Sequence, residues 1–351
     1  MKMGVLRQAL AVFIMLLSSI ATYADEMTEM QQALVDMGYS VTVDGIIGNE
    51  TKRQLGKFFL DNGHDFDGII TDKTFNDVAS LRKKFYRPIP WTFHDPYDSI
   101  KWNRYDNSHA PRNLGKIGHI KIEEESDGNS YVSLTSKIGQ LSNFNRGQDL
   151  YIKDRVELGL PPSKAPFDLD NRLLWYGFKV KSPSGKFIPN AHEVTFNQYK
   201  QIQKNAGRKK DCFPGMFWRM NAENNGKTWM AVANEINNKI NRKTINTFIN
   251  ERWSKVKVGV YFTESEHGWL RAYVNDRLVY SYTGRTIMNQ FKSCKPKHFE
   301  NYLRIGVYRG SDTKKLNGKK IADDQSDTLH FDDFIVTDNS REVDQILAKN
   351  K

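Results

Sequence analysis

The sequence predicts an all-β sandwich preceded by a small helical domain. Three observations carry that expectation. Beyond residue 91, apolar residues fall in short runs that alternate with polar ones, the period of a half-buried strand. Between residues 25 and 86 they recur instead at helical spacing, interrupted by two Asp-Gly turns. A length of 351 residues suits about two domains.

The N-terminus reads as an export leader. Lys2 and Arg7 flank the start of an apolar run over 9–20, which ends in Ala21-Thr22-Tyr23-Ala24 ahead of Asp25. A charged lead, an apolar core short for a span and a small residue at the exit match a secretory signal peptide over 1–24. The mature protein is then secreted or periplasmic in a bacterium, with no stable membrane insertion after cleavage. Cys212 and Cys294 are the two cysteines of the chain, an even number that suits one disulfide in an oxidising compartment.

Charge is divided unevenly. Residues 25–80 hold 11 acidic and 4 basic side chains, a net of −7. With +2 in the leader, the chain's total of +11 leaves +16 on residues 81–351. Such a surface attracts polyanions. Export favours an acidic polysaccharide over nucleic acid, and no nucleic-acid-binding signature is present.

In the acidic segment, Met30, Leu34 and Met37 form one face of a first helix, and Gly38 is placed to end it. Val43-Asp44-Gly45-Ile46-Ile47-Gly48 turns into a second helix carrying Leu55, Phe58 and Phe59, with Asn49 or Thr51 as the expected cap. The turn recurs 23 residues later as Phe66-Asp67-Gly68-Ile69-Ile70, with Thr74 in the place of Thr51. Together with Met30-Gln31-Gln32-Ala33-Leu34 and Gly38-Tyr39, these motifs resemble the peptidoglycan-binding-domain family. The resemblance implies a three-helix module over 25–86 and peptidoglycan as a partner.

Pro88 and Pro90 separate this module from a β-rich domain over 91–340. Alternating runs predict strands at 119–122, 131–134, 151–158, 194–200, 255–261, 270–274, 278–280 and 302–308, with a tight hairpin at Asn275-Asp276. One helix is expected within 221–246, where Trp229, Val232, Ile236 and Ile240 follow a helical spacing.

Three of these strands carry more than packing. Period-two alternation puts Leu303, Ile305 and Val307 on one face and Tyr302, Arg304 and Tyr308 on the other, around Gly306. Gln198 and Lys200 share a face, as do Lys153, Arg155 and Glu157. If the polar faces line one sheet, Arg, Gln, Lys and Tyr meet where an anionic sugar would lie. Removing the C5 proton of a uronic acid requires its carboxylate to be neutralised, a task suited to Arg155, Gln198 and Lys200. Nearby cations then lower the phenol of Tyr302 so that it serves as base and acid. Arg304, Tyr308, His192, Glu157 and Lys153 are the expected substrate-binding residues. No cofactor or metal is called for, and the histidines lack ligand spacing.

These strands resemble the alginate-lyase-like and heparin-lyase-like polysaccharide lyases. Arg155-Val156-Glu157-Leu158 is similar to their Arg-x-Glu-Leu strand, residues 194–200 to Val-Thr-x-x-Gln-x-His, and residues 302–308 to Tyr-x-Lys-x-Gly-x-Tyr. Phe331-Asp332-Asp333-Phe334 and the hairpin after Gly268-Trp269 look like glucuronan-lyase-type members. The resemblance implies a concanavalin-A-like jelly roll and β-elimination on an acidic polysaccharide. Lys200 stands where the family has its catalytic histidine, Gly159 where alginate lyases have a second arginine, and Arg304 where lysine is usual. A non-catalytic lectin on the same fold is the competing reading. A laminarinase-type hydrolase is disfavoured, because no Glu-x-Asp-x-x-Glu run supplies its carboxylates.

Overall fold

The computed structural model describes residues 23–86, 93–95, 103–106, 120–137, 155–159, 171–183, 194–203, 211–220, 227–234, 239–248, 251–263, 265–286, 299–309, 315–316, 319–320 and 326–349. The chain divides into two compact units, Met1–Pro88 and Ile89–Lys351. Residues 1–22 of the leader expected over 1–24, together with Lys153, His192 and Cys294, lie outside the described residues, and with them the expected disulfide; residues 23 and 24 are the first of a helix.

The first unit is a three-helix module of α1 (23–36), α2 (Asn49–Asp61) and α3 (Asp72–Phe85). Leu34, Leu55, Phe58, Val78 and Leu81 form its core. Gly38, at φ 89°, ends α1 in the left-handed conformation that a Cβ would penalise. The repeated turns close alike: the Ile46 amide donates to Asp44 Oδ1 and the Ile69 amide to Asp67 Oδ1, each at 2.8 Å. Thr51 and Thr74 then donate their hydroxyls to the Ile46 and Ile69 carbonyls. The buried Gln31 secures the first turn, its Oε1 accepting from the Gly45 amide at 2.7 Å and its Nε2 donating to Asp44 Oδ1 at 2.9 Å. Neither Asn49 nor Thr51 caps α2. Gly48 occupies that position, because Thr51 lies one turn inside and bonds back to the preceding loop.

The second unit is a jelly-roll sandwich. Its strands are β1 (Phe93–Asp95), β2 (Asn103–Asp106), β3 (Ile120–Glu124), β4 (Ser130–Lys137), β5 (Arg155–Gly159), β6 (Arg172–Lys181), β7 (Val194–Gln203), β8 (Asp211–Met220), β9 (Lys227–Asn234), β10 (Lys239–Phe248), β11 (Ser254–Phe262), β12 (Trp269–Val274), β13 (Arg277–Thr283), β14 (Phe299–Arg309), β15 (Lys315–Leu316), β16 (Lys319–Lys320) and β17 (Ser326–Thr337). One antiparallel sheet runs β13-β12-β11-β6-β17-β4-β3, with β1 also pairing β17; the other runs β10-β9-β8-β7-β14-β5-β2. Between them lie Tyr176, Phe178, Phe196, Leu303, Ile305, Phe331 and Phe334, all nearly without solvent contact. Phe178 stacks on Phe334 at 6.1 Å and meets Phe196 of the facing sheet edge-on at 6.5 Å.

The helix expected within 221–246 is a hairpin of β9 and β10. Pairing of β9 with β8 overrides a spacing that suited a helix only by coincidence. Asn275 and Asp276 turn as expected, at φ 48° and 65°. The strand β6 shows no apolar–polar alternation, because it is buried on both faces.

Its outer face is covered by α4 (Ser340–Ala348), whose Val343 and Leu347 pack against Gly177. A Cβ at Gly177 would come within 2.5 Å of Val343 Cγ1, so a glycine is what lets the helix seat. Beside it Lys179 Nζ donates to Asp333 Oδ2 at 2.7 Å and to the Lys349 carbonyl at 2.8 Å.

Candidate active site

The three strands singled out by sequence are neighbours in one sheet: β14 lies between β5 and β7. Cross-strand partners share a face. Across β14 and β7, Tyr302 is opposite Lys200 and Arg304 is opposite Gln198. Across β14 and β5, Tyr308 is opposite Arg155 and Gly306 is opposite Glu157. The register thus gathers Arg155, Glu157, Gln198, Lys200, Tyr302, Arg304 and Tyr308 on adjoining positions of one parity. The opposite parity is core, with Leu158, Leu303, Ile305 and Val307 at 1% exposure or less. Arg304 is itself buried, at 5%.

The same register rows continue along the sheet. Tyr308 is opposite Thr195, which is opposite Arg219, which is opposite Trp229. Gln198 is followed by Phe217, Ala231 and Arg242. Arg219, Trp229 and Arg242 were missed by sequence reasoning because their segment was expected to be helical or was left without assignment. The strand alternation of Arg219 with Phe217 is the signal that would have found one of them.

Two irregularities interrupt the rows at one height. Pairing of β14 with β7 shifts between Ile305 and Tyr308, and pairing of β7 with β8 shifts between Thr195 and Asn197. Gly306, at φ 156°, lies within the first of them. Below it, Asn197 Oδ1 accepts from the Tyr176 hydroxyl at 2.8 Å, and Asn197 Nδ2 donates to the Arg304 carbonyl at 2.9 Å. Among the described residues no group of three or more His, Cys, Asp and Glu side chains is arranged to hold a metal.

Comparison with known proteins is decisive for the family. The model described as Polysaccharide lyase matches residues 99–335, well over half of the chain. The chain belongs to the polysaccharide lyase family. A second model, for a peptidoglycan binding domain, matches residues 23–76. Among solved structures, an endo-β-1,4-glucuronan lyase from the fungus Trichoderma reesei is 12% identical, with 70% of this chain and 94% of that one covered and a TM-score of 0.47. A marine alginate lyase from Zobellia galactanivorans is 14% identical, with 59% and 77% covered and a TM-score of 0.41. As a member of that family, the lyase is an enzyme.

Proposed function

We propose that this lyase is exported and cleaves a uronate-containing polysaccharide by β-elimination, with residues 25–86 holding it to peptidoglycan and residues 91–340 carrying the reaction. Arg155, Gln198 and Lys200 donate to the substrate carboxylate, so that the charge developing on it after loss of the C5 proton is stabilised. Tyr302, as phenolate, takes that proton. The electron pair left on C5 forms the C4–C5 double bond, the C4–O glycosidic bond breaks, and the phenol returns the proton to the departing oxygen. One residue then serves both ends of a syn elimination. Lys200 fills the histidine's position as a fixed positive charge, lowering the phenol rather than accepting the proton.

The observation that supports this reading is the register: Lys200 opposite Tyr302, and Gln198 opposite Arg304 on the next rung. The test is ultraviolet absorbance of the unsaturated uronate on alginate, glucuronan and glycosaminoglycans. The full-length protein is expected to generate it on at least one. Tyr302→Phe should lower the rate by about 10²- to 10⁴-fold while substrate still binds. A variant with full activity removes Tyr302 from the mechanism. Binding of polyanions without product from the wild type would identify a lectin instead.

A further inference from the structure

In β7, Phe196 and Asn197 are consecutive, yet each is 1% exposed and each meets β6 in the facing sheet. Phe196 packs on the Phe178 ring, and Asn197 accepts from the Tyr176 hydroxyl. An unbroken strand alternates its side chains, so two successive inward residues mark a bulge. The pairings agree: β8 partners jump from Thr195↔Arg219 to Asn197↔Trp218, passing over Phe196. On the other edge the pairing shifts at the same place, from Tyr308↔Thr195 to Ile305↔Asn197, with the additional residue there in β14.

Pairing with β8 shifts again on either side of Lys200, but along the β14 edge β7 runs unbroken from Asn197 to Gln203, so the parity of Gln198 and Lys200 against Tyr302 is set at this point. A slip by one would exchange Gln198 and Lys200 with Tyr199 across the sheet. Asn197 is the first residue after the irregularity, and its amide is used at both ends. One end is anchored to the opposite sheet through Tyr176; the other grips the carbonyl of Arg304, whose register partner is Gln198. An apolar side chain would fill the same volume at less desolvation cost. What the amide adds is direction, since each bond is satisfied in only one register.

We propose that Asn197, braced by Tyr176, is a positioning residue for the elimination, locking Gln198 and Lys200 at the correct height and face against Tyr302. The proposal rests on the reading of the site given above. Its test pairs Asn197→Asp with Tyr176→Phe in the full-length protein. At temperatures where both variants are fully folded, each should lose kcat by about tenfold or more with KM within about twofold, as expected for misplaced reacting groups. The double variant should be no slower than Asn197→Asp alone, because both act through one link. Once protonated, the carboxyl introduced by Asn197→Asp can again donate to the Arg304 carbonyl, so the activity of that variant relative to wild type should recover as pH falls. A purely structural contribution would change melting temperature without this recovery. Wild-type kcat and pH profile in both variants would overturn the proposal. An inactive wild type would instead overturn the chemistry beneath it. Amide exchange at residues 198–200 then decides the positioning alone: it should quicken in Tyr176→Phe, and unchanged exchange overturns the brace.

Discussion

His330 is buried against the Tyr131 ring, centroid to centroid 4.6 Å, and its pKa is pushed down to about 4. Burial is the main cause. Lys181 adds to the depression, while Glu123 and Glu125 oppose it. The folded protein therefore keeps this imidazole neutral where an unfolded chain, with a pKa near 6.5, would protonate it. Unfolding takes up a proton between about pH 6.5 and pH 4, so stability falls as pH drops through that window, by on the order of 3 kcal/mol at most. Urea midpoints measured across the window should fall for the wild type and flatten in His330→Gln. Elsewhere at this scale, the sequence displayed Gln198, Lys200, Tyr302 and Tyr308 plainly, because strand alternation is visible without a partner. The inward pair Phe196-Asn197 was not legible. A bulge exists only relative to a neighbouring strand, and nothing in Val194-Thr195-Phe196-Asn197 marks which residue is the extra one.

Among the elements, the doubled Asp-Gly-Ile-Ile turn and its helices were legible because each turn is local, closed by its own Asp and Thr. The β9–β10 hairpin was not, since its evidence is non-local pairing to β8. The final helix α4 also escaped notice, although Asn339 accepts from the Arg341 and Glu342 amides as an N-cap and Val343 and Leu347 repeat at helical spacing. Its seat makes a sharp prediction. Gly177→Val places methyls where Val343 and Leu347 already stand, which should cost about 1–3 kcal/mol. Thermal unfolding should report the loss, and limited proteolysis should cut first near residues 338–349. Wild-type stability would mean that the helix is not held by this notch. Gly259 offers a parallel case, for a Cβ there would come within 2.6 Å of the Trp175 ring.

At the scale of the whole molecule, two compact units and an opposed charge distribution point to separable roles. Residues 89–351 made alone should keep their unfolding transition and their turnover of soluble polymer, while pelleting with isolated cell walls should be lost. Retained pelleting would locate wall affinity in the basic unit. Because residues 81–351 carry +16, affinity for a polyuronate should fall as salt rises from about 0.01 M to 0.15 M and the screening length shrinks from about 30 to 8 Å. An uncharged glucan serves as the control. The order of strands has one more effect. Residues 326–337 insert between β6 and β4 in the middle of their sheet, so the sandwich has a gap until they arrive. A ribosome must therefore have released residues 326–337 before this unit can close. Until then, β6 and β4 are each left with an unpaired edge in the middle of their sheet.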